Sequence, residues 1–174
     1  MGSVSRVRNI YYRLLGVQIT GYVWLRRIEI ARNWGDIFLE KGVSLDTGVV
    51  FVTGGKPRAG KISIGANTYV NRYTIFDGHE CIKVGRRCMI GPHCYITDGD
   101  HTKKLGQPIQ AQPMRMDPVI IEDEVWIGSH VIILPGVQLG KGAVIGAGSV
   151  VTRSVPSNSI AVGIPARVVR MRDE

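Results

Sequence analysis

Aliphatic residues recur along this chain at a period of six. Ile121, Ile127, Ile133, Leu139, Ile145 and Val151 follow one another at that interval without a break. Four positions after each stands a small or aliphatic residue: Val125, Val131, Val137, Ala143, Ser149 and Val155. The same phase returns upstream in three shorter runs, Leu39, Leu45 and Phe51, then Ile64, Val70 and Phe76, then Val84, Ile90 and Ile96. Their small partners are Val43 and Val49, Thr68 and Thr74, and Cys88 and Cys94. A period of six matches neither the 3.6 of an amphipathic helix nor the alternation of a plain strand. It matches short strands joined by sharp corners, each hexad forming one face of a prism with its large aliphatic inward. The fifteen hexads then make about five coils, stacked at roughly the 4.8 Å spacing of paired strands. Gly128, Gly140 and Gly146, each directly after an aliphatic, are expected to relieve crowding where the chain bends. The fold expected is therefore an all-β parallel β-helix.

The breaks divide the chain. Residues 1–36 precede the repeat as an N-terminal cap segment, 37–156 form the β-helix, and 157–174 form a C-terminal tail. Inside the cap, Val7, Ile10, Tyr11, Leu14 and Leu15 have helical spacing, as in a helix covering the open end of a solenoid. Small interruptions fall at 57–63 and near His79. The large one separates the hexads at Ile96 and Ile121, where regular spacing would restart at 102, so nineteen residues are inserted. The segment 98–118 begins Asp98-Gly99-Asp100-His101-Thr102 and carries Pro108, Pro113 and Pro118, which reads as a projecting loop. On a solenoid such insertions map to the binding face. His101 is the candidate base, because its ordinary pKa of about 6.5 suits proton abstraction near neutrality.

Composition narrows the classes. Gly numbers 22 and aromatics make up 7%, a pairing that suits many tight corners. No run approaches the roughly 20 apolar residues of a membrane span, and the N-terminus lacks the apolar stretch of a secretory signal, so a cytoplasmic protein is expected. Cys81, Cys88 and Cys94 form no C-x-x-C pair and read as small core residues rather than a disulfide or zinc framework. The net charge of +8 calls for an anionic partner. Residues 1–35 hold Arg6, Arg8, Arg13, Arg26, Arg27 and Arg32 against Glu29 alone. No basic stripe interleaved with aromatics follows, which sets nucleic acid aside, whereas a peripheral contact with the inner membrane surface through this basic end is a sharper alternative to a plain cap.

The segments Val125-Trp126-Ile127-Gly128-Ser129-His130, Pro135-Gly136-Val137, Ile145-Gly146-Ala147-Gly148-Ser149-Val150-Val151-Thr152 and Gly163-Ile164-Pro165-Ala166-Arg167-Val168-Val169-Arg170 resemble the hexapeptide-repeat acetyltransferases. Within that family the galactoside/maltose O-acetyltransferases and the bacterial surface-polysaccharide O-acetyltransferases are most similar. The resemblance implies a left-handed parallel β-helix assembled as a homotrimer, with sites in clefts between subunits and no metal required. It implies acetyl-coenzyme A as donor, a sugar or glycan hydroxyl as acceptor, and His101 as general base. Asn71 and Asp77 carry over to the acceptor side, and Ser129, Ala147, Thr152, Arg153, Arg167 and Arg170 to the coenzyme side. The catalytic loop departs from the His-Pro of the galactoside/maltose group, having Asp-Gly-Asp-His-Thr, nearer the polysaccharide-modifying branch.

Three other functions compete. An N-acetyltransferase on an amino sugar or nucleotide-amino sugar would use the same base. A γ-type carbonic anhydrase needs a close histidine pair and a distant third, which His79, His93, His101 and His130 do not resemble in spacing. A non-catalytic β-helix serving assembly would leave His101 idle.

Overall fold

The computed structural model describes residues 2–172 and shows a triangular prism of six coils. Face A stacks Gln18–Ile19, Ile37–Leu39, Ile62–Ile64, Ile82–Val84, Val119–Ile121 and Gln138–Leu139. Face B stacks Trp24–Leu25, Ser44–Leu45, Tyr69–Val70, Met89–Ile90, Trp126–Ile127 and Val144–Ile145, then Ser159–Gly163 and the antiparallel edge strand Ala166–Met171. Face C stacks Glu29–Ile30, Val50–Thr53, Ile75–Gly78, Tyr95–Thr97, Ile132–Ile133 and Val150–Val151. Every coil-to-coil pairing is parallel and in register, as in Ile90 opposite Val70 and Ile127.

The hexad explains this geometry residue by residue. Each large aliphatic is buried in a column shared with the coils above and below, and Phe51 stacks on Phe76 with ring centroids 5.3 Å apart. The small position four residues later is buried at every hexad, because it sits inside the corner where only a small side chain fits. Where it is polar it bonds to the next coil. Thr68 Oγ1 donates to the Gly85 carbonyl at 2.8 Å, and Thr74 Oγ1 to that of Gly91 at 2.9 Å. Cys88 and Cys94 are in this inner set, and burial pushes both thiols, and that of Cys81, above their usual pKa.

The glycine expectation needs correction. The bend is made three residues after the aliphatic, where φ is positive: +77° at Gly48, +58° at Tyr73 and His93, +57° at His130 and +72° at Gly148. The glycine directly after the aliphatic answers a different demand. A Cβ at Gly91 would stand 2.6 Å from Gly128 C, and one at Gly128 would stand 2.6 Å from Ala147 N. These glycines let the main chains of successive coils touch.

The β-helix also begins earlier than the hexads suggest. Residues 18–30, inside the segment assigned to the cap, pair as a complete first coil below Ile37–Leu39, Ser44–Leu45 and Val50–Thr53. The cap itself is the helix Gly2–Leu14. At the far end, Val155 bridges to Leu139, and the hairpin formed by Ser159–Gly163 and Ala166–Met171 covers the last coil.

The long connections and the inserted hairpin all fall at one corner, between face C and face A. They are residues 31–36, 54–61, 79–81 and 98–118. Buried aspartates tie them down. Asp36 accepts from the Arg58 N–H at 2.7 Å and pairs with Lys61 Nζ at 3.0 Å, with both side chains only 1% exposed. Asp98 accepts from the N–H groups of His79, Glu80 and Cys81 at 2.7, 2.8 and 2.5 Å.

Candidate active site

The corner between faces B and C is built differently. Asn71, Gly91, Gly128 and Gly146 follow the face-B aliphatics Val70, Ile90, Ile127 and Ile145, so one hexad position repeats down this edge. With three glycines in the column, the edge becomes a groove of about 460 Å³ with a floor of main chain and small side chains. Asn71, Pro92, Trp126, Ser129, Val144 and Ala147 are among its lining residues. Asn71 Oδ1 accepts from the Arg72 N–H at 2.8 Å. A second groove, of about 600 Å³, continues along face B between Met89, Glu124, Trp126, Ile160, Arg170 and Arg172. The half-exposed Trp126 ring is the ridge between the two.

The residues assigned to the coenzyme are therefore distributed. Ser129 and Ala147 line the first groove and Arg170 the second. Arg167 lies opposite Val162, whose Cγ1 would meet a Cβ on Gly146 at 2.7 Å, which puts it at the end of the first groove. Thr152 and Arg153 follow Val150–Val151 out of face C and leave the molecule at the C–A corner. The chain does not bring them to the Ser129–Ala147 groove.

His101 is also at the C–A corner. It ends the strand Gly99–His101, which pairs antiparallel with Met114–Met116 to make the inserted loop a hairpin. The neck is closed by the Asp117 N–H donating to the Asp98 carbonyl at 2.9 Å. The ring is exposed and makes no hydrogen bond among the described residues. Neither neighbouring carboxylate accepts a hydrogen bond from it. Asp98 is turned inward to the 79–81 main chain. Asp100 is paired with Lys103, which holds its carboxyl below the usual range.

Asp77 is likewise parted from Asn71. The two lie at opposite ends of a face-C crossing, six residues or about 20 Å of extended chain at most. Asp77 instead accepts from Tyr95 Oη at 2.6 Å and faces His79 Nε2 at 3.3 Å. Burial first, and the Asp77 carboxylate second, push the Tyr95 hydroxyl up to about 12. His79 is wedged beneath the loop, since a Cβ on Gly99 would come 2.5 Å from its Cδ2. Tyr95 and His79 form a polar cluster under the loop that sequence spacing did not single out, because its members come from different coils. The groove was more legible, since its floor is every third hexad read at one position.

His93 stacks on His130 at 5.0 Å and on Tyr73 at 5.1 Å, in an exposed column along the B–C edge. Among the described residues no three His, Cys, Asp or Glu side chains converge as a metal-ligand set would.

Residues 118–153 match the family described as bacterial transferase hexapeptide (six repeats). Galactoside O-acetyltransferase of Escherichia coli is 40% identical over 115 residues, an alignment covering 63% of this chain and 53% of that enzyme. The chain spans about half the length of the curated relatives it matches. Among solved structures, the N-acyltransferase AntD of Bacillus cereus, in complex with dTDP and coenzyme A, superposes with a TM-score of 0.79 at 25% identity over 93% of this chain and 88% of that one. A maltose O-acetyltransferase of Clostridium difficile 630 superposes with a TM-score of 0.67 at 30% identity, covering 96% of this chain and 75% of the enzyme. Likeness over that span, on the same stacked hexads, means that the chain belongs to the hexapeptide-repeat acetyltransferases, with their left-handed parallel β-helix.

Proposed function

We propose that the protein transfers an acetyl group from acetyl-coenzyme A to a sugar hydroxyl, in the building of a surface polysaccharide or related glycan, with His101 as general base. The observation that carries this is the main-chain groove at the B–C corner. Successive coils touch at Gly91, Gly128 and Gly146, so a slender chain with amides can lie along exposed peptide groups. The coenzyme's pantetheine arm has that form. Trp126 and Arg170 on the adjoining groove suit its adenine ring and phosphates, by stacking and by charge-assisted hydrogen bonds.

The division between corners supports assembly as a homotrimer. Asn71, Ser129 and Ala147 lie at one corner, while His101, Asp77, Thr152 and Arg153 lie at another. A second copy that set its C–A corner against the B–C groove would complete the site, and it would supply the surroundings that the His101 ring lacks within one chain. In the completed site His101 takes the proton from the acceptor hydroxyl as its oxygen attacks the thioester carbonyl. The Ser129 N–H steadies the developing oxyanion. Collapse breaks the carbon–sulfur bond, and the departing thiolate recovers the proton from His101. Asn71 and Asp77 orient the acceptor.

A second reading, N-acetyl transfer to an amino sugar, is favoured by the likeness to AntD, an N-acyltransferase, over nearly the whole chain. The same base serves either acceptor. Among the described residues no helix is long and apolar enough to cross a membrane, and a cytoplasmic location is part of the proposal.

The test is thiol release from acetyl-coenzyme A with a panel of sugars, amino sugars and nucleotide sugars. One acceptor should drive release that His101→Ala loses. Co-expressing His101→Ala with Ala147→Trp checks the composite site: each alone should be inactive and the mixture active. A mixture that stays inactive argues that groove and loop act within one chain.

A further inference from the structure

The N-terminal helix Gly2–Leu14 is turned inside out. A helix capping a solenoid ordinarily lays its apolar stripe on the core and leaves polar residues outside. Here the inward positions are Ser5, Asn9 and Tyr12, and hydrogen bonds hold them to the first coil. Asn9 Nδ2 donates to the Val23 carbonyl at 2.7 Å, while its Oδ1 accepts from the Val23 N–H at 3.1 Å. Ser5 Oγ accepts from the Leu25 N–H at 3.0 Å, and Tyr12 Oη donates to the Ile28 carbonyl at 3.1 Å. The apolar stripe therefore faces out. Val4, Val7, Tyr11 and Leu14, at i, i+3, i+7 and i+10, are 54%, 66%, 54% and 83% exposed, with Ile10 beside them at 60%. Trp24, half exposed, stands next to this face across a shallow groove shared with Val4, Arg8 and Arg26.

Charge identifies what the stripe meets. Arg6, Arg8 and Arg13 flank the apolar residues, Arg8 Nη1 donating to the Leu25 carbonyl at 3.1 Å and Arg13 Nη2 to that of Gly21; the helix carries no acid, and Glu29 is the one acid among residues 1–35. Two copies of the face laid together would bury the apolar residues but set arginine against arginine. A bilayer with anionic headgroups satisfies both parts: apolar side chains enter the headgroup–acyl boundary, Arg6 and the remaining N–H groups of Arg8 and Arg13 meet phosphates, and Trp24 takes the interfacial position that tryptophan favours. We propose that this outward helix face seats the protein on an anionic lipid surface. The proposal is independent of the acetyl-transfer reading.

The test is co-sedimentation of the full chain with phosphatidylcholine vesicles holding about 30% phosphatidylglycerol, against pure phosphatidylcholine. The chain should bind the anionic vesicles only, and high salt should release it as charge is screened. The triple variant Val7→Gln, Ile10→Gln, Leu14→Gln should lose binding at least about tenfold. Its inward bonds remain, so its circular dichroism and melting should match the wild type. Arg6→Gln should lose about fivefold. No binding by the wild type, or equal binding by the triple variant, overturns the proposal. So does a triple variant that sediments as a smaller oligomer, which would give the face to a second copy. Turnover on soluble acceptors is not read in this experiment, so its failure leaves the reaction untouched.

Discussion

Two corners of the prism follow opposite rules. Between faces B and C, the turns through coils two to six have the same two-residue form, with the left-handed residue falling at Gly48, Tyr73, His93, His130 and Gly148. Between faces C and A the connections differ at almost every level, from three residues at 79–81 to the hairpin at 98–118. Yet the strands after that irregular corner stay in register, Ile37 opposite Ile62, Ile82 opposite Ile62 and Val119. A solenoid thus needs strand register and not constant connection length. One corner can be kept uniform to expose a continuous main-chain track, and another left free to carry titratable groups.

The sharpest way to break this division is to remove the chemistry from the irregular corner. His101→Ala should cut turnover by about 10²–10⁴-fold while leaving the melting temperature unchanged, since the ring is exposed and unbonded. Turnover that survives would put the base elsewhere. Next in size is the anchor of the 54–61 connection. Lys61→Met leaves Asp36 buried without its charge partner and should cost about 3–5 kcal/mol in denaturant unfolding. Adding Asp36→Leu should restore much of the loss, and a single variant as stable as the wild type would show that this pair does not hold the corner.

The uniform corner should respond to volume. Gly91→Ala puts a Cβ 2.6 Å from Gly128 C and 2.7 Å from Ser129 N, all main chain, and should cost about 1–3 kcal/mol together with a raised KM for acetyl-coenzyme A. An unchanged KM would separate the groove from coenzyme binding. The smallest effect is a pH dependence under the loop. Tyr95 has a folded pKa raised to about 12, so its contribution is fully present below pH 10 and lost as pH rises through 12. Melting curves of the wild type should fall across that window more than those of Tyr95→Phe. Parallel curves would mean that the Tyr95–Asp77 bond adds nothing.

The hexads from Leu39 to Val155 made coils two to six legible, because the large and small positions of each are fixed by burial in the prism. The first coil was not. Ile19 and Leu25 are six apart, but Ile30 follows Leu25 by five, so the phase slips before it reaches Leu39. The helix was legible as a helix, whereas its orientation was not. Three side-chain hydrogen-bonding residues, Ser5, Asn9 and Tyr12, outweigh an apolar stripe once the coil end presents unpaired main-chain groups. At the site, the spacing located the loop and His101, but not the distance between that loop and the groove. Hexad phase places a residue on a face and says nothing of which faces a bound molecule must bridge.

The 98–118 hairpin leaves the prism and returns through one narrow neck, where the Asp117 N–H meets the Asp98 carbonyl at 2.9 Å. Its two ends are adjacent whatever lies between them. The hairpin is thus an interchangeable cassette: its length and composition can drift, or be replaced whole, without altering the register of a single coil. The same seam, between Asp98 and Asp117, is where a graft from a relative should be spliced.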